Sequence, residues 1–177
     1  MFNEEELYDR LHFNIKSIGT MMAPFDAWIA FRGCKTVKLR VMKSADNALE
    51  IAKWLEKHPK IEKVLYPGLP SHPHHKIALK NRSSKNLSGG SGMLGFYIKG
   101  NLAKTNKFLS SLKLITLAES LGGVESLIES PALMTHQSVP VEIRNAVGIS
   151  DNYCRFSSGI EEVEDIMADI NQALAKI

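Results

Sequence analysis

Cysteine is scarce: Cys34 and Cys154 are the only two in 177 residues and lie far apart in the chain. That spacing excludes a small disulfide scaffold and a CxxC zinc site, and two free thiols are expected. Uninterrupted apolar runs of about 18 residues, the length a helix needs to cross a bilayer, are also missing. The acidic start Met1-Phe2-Asn3-Glu4-Glu5-Glu6 has neither the basic nor the apolar region of a secretory signal. No membrane partner is expected, and the default setting is cytoplasmic. The net charge of +3 comes from lysines and arginines interspersed with acids. Without a dense basic stripe, nucleic acid is not an expected partner. The chain contains no GxSxG, HExxH or Walker loop, and no internal repeat.

What is present is the balance of an ordinary globular domain, with 44% hydrophobic and 23% charged residues. Leu7, Leu11, Ile15 and Ile18 recur at helical spacing, predicting a helix over 3–18. Pro24 suits a first helical turn and Gly33 a stop, predicting a short helix from Met21 to Arg32. Val37, Val41, Ala45, Ala48, Ala52 and Leu55 form one stripe, predicting the longest helix over 36–57. Apolar runs bounded by Pro, Gly and Ser predict strands at Ile61–Tyr66 and Met93–Ile98, with a surface loop at Asn81–Ser91 between them. A helix over 102–112, strands near 114–117, 124–128 and 153–157, and a closing helix over 161–176 complete the reading. The absence of a regular βαβ rhythm favours a mixed α/β sandwich, a mainly antiparallel sheet with helices packed on one face.

Three polar clusters could carry chemistry. In Thr116 to Leu127 a Gly122-Gly123 pair joins two short strands, which permits close backbone approach and puts Glu119 and Ser120 at a strand end. A hairpin-like turn with solvated acids fits the same spacing. In Cys154-Arg155-Phe156-Ser157-Ser158-Gly159, strand alternation puts Tyr153, Arg155 and Ser157 on one face. Arg155 is then a fixed cation whose planar fork suits a carboxylate, and a structural salt bridge to one of the acids fits equally. Ser71-His72-Pro73-His74-His75 lacks fixed ligand geometry and reads as a surface turn, so no metal site is expected. His136 reads as a hydrogen-bonded structural histidine, with no nucleophile implied beside it.

Taken together and in order, these segments resemble the C-terminal part of the cysteine and methionine metabolism family of pyridoxal-phosphate enzymes. Ala23-Pro24-Phe25-Asp26-Ala27-Trp28, Arg32-Gly33-Cys34-Lys35-Thr36 and Tyr66-Pro67-Gly68-Leu69-Pro70-Ser71-His72-Pro73 resemble the family's inter-domain helices and following turn. Leu117 to Leu127, Met134-Thr135-His136 and Arg155 to Glu161 resemble its segments near the active site. The resemblance covers nearly the whole chain. Leu117 to Gly123 and Val147-Gly148-Ile149-Ser150-Asp151 are most similar to the branch that cleaves cystathionine at its γ carbon–sulfur bond. The branch that synthesises cystathionine is close behind, and the one that cleaves methionine is further off.

The resemblance implies that Arg155 binds the substrate's α-carboxylate and that Ser120 and Leu121 line the site. It implies that Glu119 favours substrates with a distal polar group and that Thr135 helps hold the neighbourhood of Arg155. It implies pyridoxal 5′-phosphate as cofactor, a sulfur-containing amino acid as substrate, and a homo-oligomer, a tetramer in full-length relatives. The implied organisation is N-terminal helices over 1–57 leading from a large cofactor-binding domain, and the small C-terminal domain of a fold-type I enzyme over 58–177. The family's cofactor lysine follows a Ser- and Thr-rich motif in that large domain, and no lysine here stands in such a context. The chain alone is therefore expected to be inactive, with no catalytic residue of its own and no assigned cofactor-binding residue. A non-catalytic domain that associates with full-length relatives is the alternative of another class. Cys34 in place of a usual leucine, Phe156 and Ser158 in place of a more aliphatic pair, and a longer loop over Asn81–Gly90 set this chain apart within the family.

Overall fold

The computed structural model describes residues 3–81 and 90–177. Most of the predicted loop at Asn81–Ser91, with its extra length, lies outside the described residues. Two compact units form, Met1–Lys38 and Leu39–Ile177. The break falls at the start of the third helix rather than at its end. The reason is the long third helix, whose Ala45, Ala48, Ile51, Ala52 and Leu55 are fully buried in the second unit's core.

The first unit contains α1 (Glu5–Ile18) and α2 (Pro24–Cys34). Glu5 and Glu6 in the first turn of α1 suit the helix dipole, and Gly19 caps its end in the left-handed conformation. Pro24 starts α2 as expected, but the helix runs through Gly33 to Cys34. Gly33 does not take a positive φ, so it does not act as a stop. Neither helix has a buried residue.

The second unit holds most of α3 (Val37–Leu55), then β1 (Ile61–Leu65), α4 (His75–Asn81), β2 (Met93–Ile98), α5 (Leu102–Leu109), β3 (Thr116–Leu117), β4 (Leu127–Glu129), α6 (Val141–Ala146), β5 (Tyr153–Ser157) and α7 (Val163–Ala175). The sheet order is β1-β2-β5-β4-β3. Every pairing is antiparallel except that of β3 with β4. A parallel pair cannot be closed by a hairpin. The hairpin alternative for 118–126 is thereby corrected: the segment is a crossover loop.

One face of the sheet, with Leu94, Phe96, Ile98, Ile128, Cys154 and Phe156, joins residues of α3, α5 and α7 in a single core. Phe96 meets Phe108 of α5 edge to face, with ring centroids 6.1 Å apart. This is the expected mixed sandwich with helices on one face. Strand alternation then turns Gly95, Tyr97, Glu129, Tyr153, Arg155 and Ser157 to the opposite face.

Two strands start later than the sequence suggested, for a common reason. The N–H groups of Leu114 and Ile115 are taken by the carboxylate of Asp169 on α7, at 2.8 and 3.0 Å, so β3 begins only at Thr116. Ser126 N–H is likewise taken by Glu161 at 2.6 Å, so β4 begins at Leu127.

Candidate carboxylate site

The site is a row across three strands. Gly95 of β2 and Glu129 of β4 are both Cα partners of Arg155 on β5. Directly opposed residues of antiparallel strands point to one face with Cβ atoms about 4.5–5.5 Å apart. Register alone thus brings Glu129 beside Arg155. Nη1 of Arg155 lies 3.0 Å from Oε1 of Glu129, whose side chain has 0% exposure against 25% for the arginine. Nη2 donates to the backbone carbonyl of Glu119 at 2.6 Å.

A guanidinium carries five N–H donors in a planar fork, and among the described residues these two contacts leave others open to an anion. Held from two sides, the fork loses little conformational freedom when a ligand arrives. The Thr135 hydroxyl lies 3.3 Å from the same Glu129 oxygen and 2.8 Å from Nδ1 of His136. Among the described residues the second oxygen of Glu129 has no hydrogen-bond partner.

Burial pushes the Glu129 carboxyl above its ordinary range. Arg155 and Thr135 pull it back, and the neighbouring Glu119 charge adds to the rise. Desolvation wins this contest, as it does for buried acids whose hydrogen bonding is incomplete.

The loop between β3 and β4 forms the rim. Gly122, with φ of 76°, donates its N–H to the Ser157 hydroxyl at 2.9 Å. A side chain would be strained in that left-handed conformation. Further along, Ser126 is clamped by Glu161, and its hydroxyl also accepts the N–H of Gly159 at 2.9 Å. Ser44 and Asn47 of α3 hold the carbonyls of Ser158, Gly159 and Glu161. The loop is fixed at both its Gly122 and its Ser126 ends.

Beside this row opens a cleft of about 230 Å³, lined by Arg40, Ser44, Met93, Gly122, Gly123 and Ser157 among others. Ser157 follows Arg155 by two residues on the same strand face, a step of about 7 Å. Cation and cleft are neighbours.

The structure brings three of the five residues singled out from sequence into one network, though not in the same way. Arg155 is at its centre. Thr135 reaches it through Glu129, and Glu119 through its backbone carbonyl rather than its carboxylate. Ser120 and Leu121 stand exposed on the rim, and Ser120 makes no side-chain hydrogen bond among the described residues. Sequence reasoning missed Glu129. The signal was an acid directly after the apolar pair Leu127-Ile128, but the predicted strand stopped one residue short of it.

The remaining candidates lie elsewhere. In the histidine turn, His75 Nδ1 lies 2.9 Å from the Pro67 carbonyl, and His72 accepts the N–H of His74 at 3.2 Å. Among the described residues no group of His, Cys, Asp or Glu is placed to hold a metal ion. Cys34 is exposed and Cys154 buried, and both are free thiols. No described helix is long and apolar enough to cross a membrane.

Comparison with known proteins agrees with this geometry. The family model described as Cys/Met metabolism PLP-dependent enzyme matches residues 1–175. The chain is 51% identical over 174 residues to a cystathionine gamma-lyase of Dictyostelium discoideum, covering 98% of this chain and 44% of that protein. It is 49% identical over 172 residues to one of Sus scrofa, covering 97% and 41%. The crystal structure of cystathionine gamma-lyase from yeast superposes with a TM-score of 0.89 at 46% identity, over 98% of this chain and 44% of that one. The chain thus spans less than half the length of the curated relatives it matches. With the match running from the first residue to the last helix, the chain belongs to the Cys/Met metabolism family of PLP-dependent enzymes.

Proposed function

We propose that this chain supplies the substrate-carboxylate end of a PLP-dependent carbon–sulfur lyase that cleaves cystathionine to cysteine, 2-oxobutyrate and ammonia. One observation carries the reading: the Arg155 guanidinium is fixed by Glu129 and by the carbonyl of Glu119, has further N–H groups without a partner among the described residues, and adjoins an open cleft. An amino-acid substrate presents a planar carboxylate, and a bidentate pair with arginine fixes both its position and its rotation. The relatives named for cystathionine support the substrate class.

The residues present do not fit the cofactor itself. A Schiff base needs a lysine amine directed at the reacting carbon. Among the described residues, Lys43 pairs with Glu162, Lys60 donates to the carbonyls of Leu174 and Ile177, and Lys99 donates to that of Pro59. Among the described residues no lysine touches Arg155 or lines the cleft. In this reading the cofactor is held by residues other than these, and the chain's own part is binding and orientation.

Arg155 anchors the carboxylate and Thr135 steadies Glu129 behind it. Glu119, Ser120 and Leu121 face the rest of the substrate from the rim, where the exposed Glu119 carboxylate favours a distal ammonium. The exposed apolar residues of α1 and α2 supply surface for a homo-oligomer, and the setting is the cytoplasm.

A chimera tests the proposal. Residues 1–177 replace the matching segment of the yeast cystathionine gamma-lyase, and 2-oxobutyrate release from L-cystathionine is measured with pyridoxal phosphate present. The chimera is expected to turn over cystathionine and the 177-residue chain alone to remain silent. A folded chimera that binds the cofactor but leaves cystathionine intact overturns the substrate assignment, and activity of the chain alone overturns the division of labour.

A further inference from the structure

We propose that Tyr153 completes the anion site, its phenolic O–H acting as a second donor to the carboxylate that Arg155 pairs with, so that Tyr153 is a specificity-determining residue of this chain. The inference rests on the carboxylate reading above.

Arg155 has a neighbour on each side in its cross-strand row. On the β4 side that neighbour is Glu129. On the β2 side it is Gly95, which has no side chain. The space is nevertheless filled. A Cβ added at Gly95 would lie 2.3 Å from the Tyr153 hydroxyl oxygen and 2.6 to 2.7 Å from the adjoining ring carbons. The phenol of Tyr153 thus leans diagonally across the strand pair into the place where a side chain at 95 would stand. Glycine is required there by the approach of the ring, and the ring brings a hydroxyl to the flank of Arg155 opposite Glu129.

The ring is held in that pose. Tyr97, the Cα partner of Tyr153, packs beside it with centroids 5.0 Å apart and the ring planes tilted by 44°. The Tyr97 hydroxyl donates to the Gly148 carbonyl at 2.7 Å, which fixes the supporting ring in turn. The Tyr66 hydroxyl likewise donates to the Ser91 carbonyl, at 2.6 Å. Tyr153 differs from both: among the described residues its hydroxyl has no hydrogen-bond partner, although the residue is only partly exposed. The hydroxyl is not enclosed, so its O–H is open to a ligand that displaces water from it. Burial also raises its pKa above 10, so it keeps its proton and remains a donor at neutral pH. Aspartate or glutamate at this place would repel an anion. A neutral donor beside a fixed cation draws one in.

The test uses the 177-residue chain labelled at the tyrosine Cζ and arginine Nε positions and titrated by NMR with sodium propionate, with propionamide as the uncharged control. The Tyr153 and Arg155 resonances are expected to shift together along one saturation curve with propionate and to stay put with propionamide. Tyr153→Phe keeps the ring and removes the donor, and is expected to weaken propionate about tenfold. Gly95→Ala displaces the hydroxyl and is expected to do the same. Arg155→Lys weakens it further. Melting temperature is recorded for each variant, and if Gly95→Ala does not fold, Tyr153→Phe decides. Unchanged affinity in Tyr153→Phe alongside a loss in Arg155→Lys overturns the role of Tyr153 and leaves the carboxylate reading standing. No saturable shift in the parent chain, or no loss in Arg155→Lys, overturns that reading and this inference with it.

Discussion

Glu129 lies 3.0 Å from Arg155 with no exposed side-chain surface, yet its second carboxylate oxygen has no partner among the described residues. The pair fixes the arginine at the cost of an incompletely satisfied buried acid. Its folded-state pKa is raised, so the stability this carboxyl confers is fully present below its ordinary value of 4.5 and is lost as pH rises through the folded value. Glu129→Gln keeps the shape and cannot ionise. The melting temperature of the variant relative to the parent is expected to rise from acid to neutral pH. Thermal unfolding between about pH 4 and pH 7 measures it. A gap that shrinks as pH rises would mean that pairing with Arg155 outweighs burial.

Asp169 has the opposite sign. Burial alone would raise its pKa, but the N–H groups of Ile115, Leu114 and Lys113, with Gln172, hold the carboxyl below its usual 3.8. Its stabilisation is present above the unfolded value and is lost as pH falls through the folded one. Asp169→Asn is expected to cost about 1.5–3 kcal/mol at neutral pH, the range for hydrogen bonds to a charged group. The deficit should hold down to about pH 4 and close below it. Paired urea titrations at pH 7 and pH 3 would show this, and an equal deficit at both would assign the loss to shape rather than charge.

Much of this architecture is legible in the sequence wherever one face of an element meets the core. The stripe Ala45-Ala48-Ala52-Leu55 reveals α3 because those side chains fill one side of a cylinder, and β2 and β5 fall where their apolar runs lie. Helices α4 and α6, of 7 and 6 residues, are too short to show a period in the sequence. The site divides along the same line. Arg155 is legible because strand alternation fixes its face. Glu129 and Tyr153 are not, because one depends on which strand lies beside β5 and the other on a glycine across the sheet leaving room for a ring.

The first unit carries a further consequence. Phe13, Ile18, Met21, Met22, Phe25, Trp28 and Phe31 are between 57% and 73% exposed. A run of large apolar side chains on that scale marks an interface. The chain is expected to bind an apolar dye and to self-associate as its concentration rises. The double variant Phe25→Asp with Trp28→Asp should lower dye fluorescence several-fold while the second unit's melting temperature is unchanged. Sedimentation velocity with dye binding tests this, and a monomeric, dye-silent parent chain at high concentration would count against it.

The decisive residue remains Arg155, and its chemistry is testable only where catalysis occurs, in the chimera carrying residues 1–177. If the guanidinium grips the substrate carboxylate with two hydrogen bonds, Arg155→Lys keeps the charge but loses the fork, and Arg155→Ala loses both. A desolvated charge-assisted pair of this kind is worth roughly 2–5 kcal/mol, so catalytic efficiency should fall about thirty-fold or more in the alanine variant. Cofactor absorbance should hardly change, because the contacts of Arg155 among the described residues are to Glu129 and to the Glu119 carbonyl. A purely structural arginine predicts the reverse. Removing it would strand Glu129, a buried acid with one oxygen already unpaired, and the melting temperature would drop while substrate affinity stayed near normal. Some loss of stability is expected in either case, since the ion pair is lost in both. The readout that separates them is therefore kcat/KM at a temperature well below unfolding. Full efficiency in Arg155→Ala under those conditions would make the residue a support for Glu129 and nothing more.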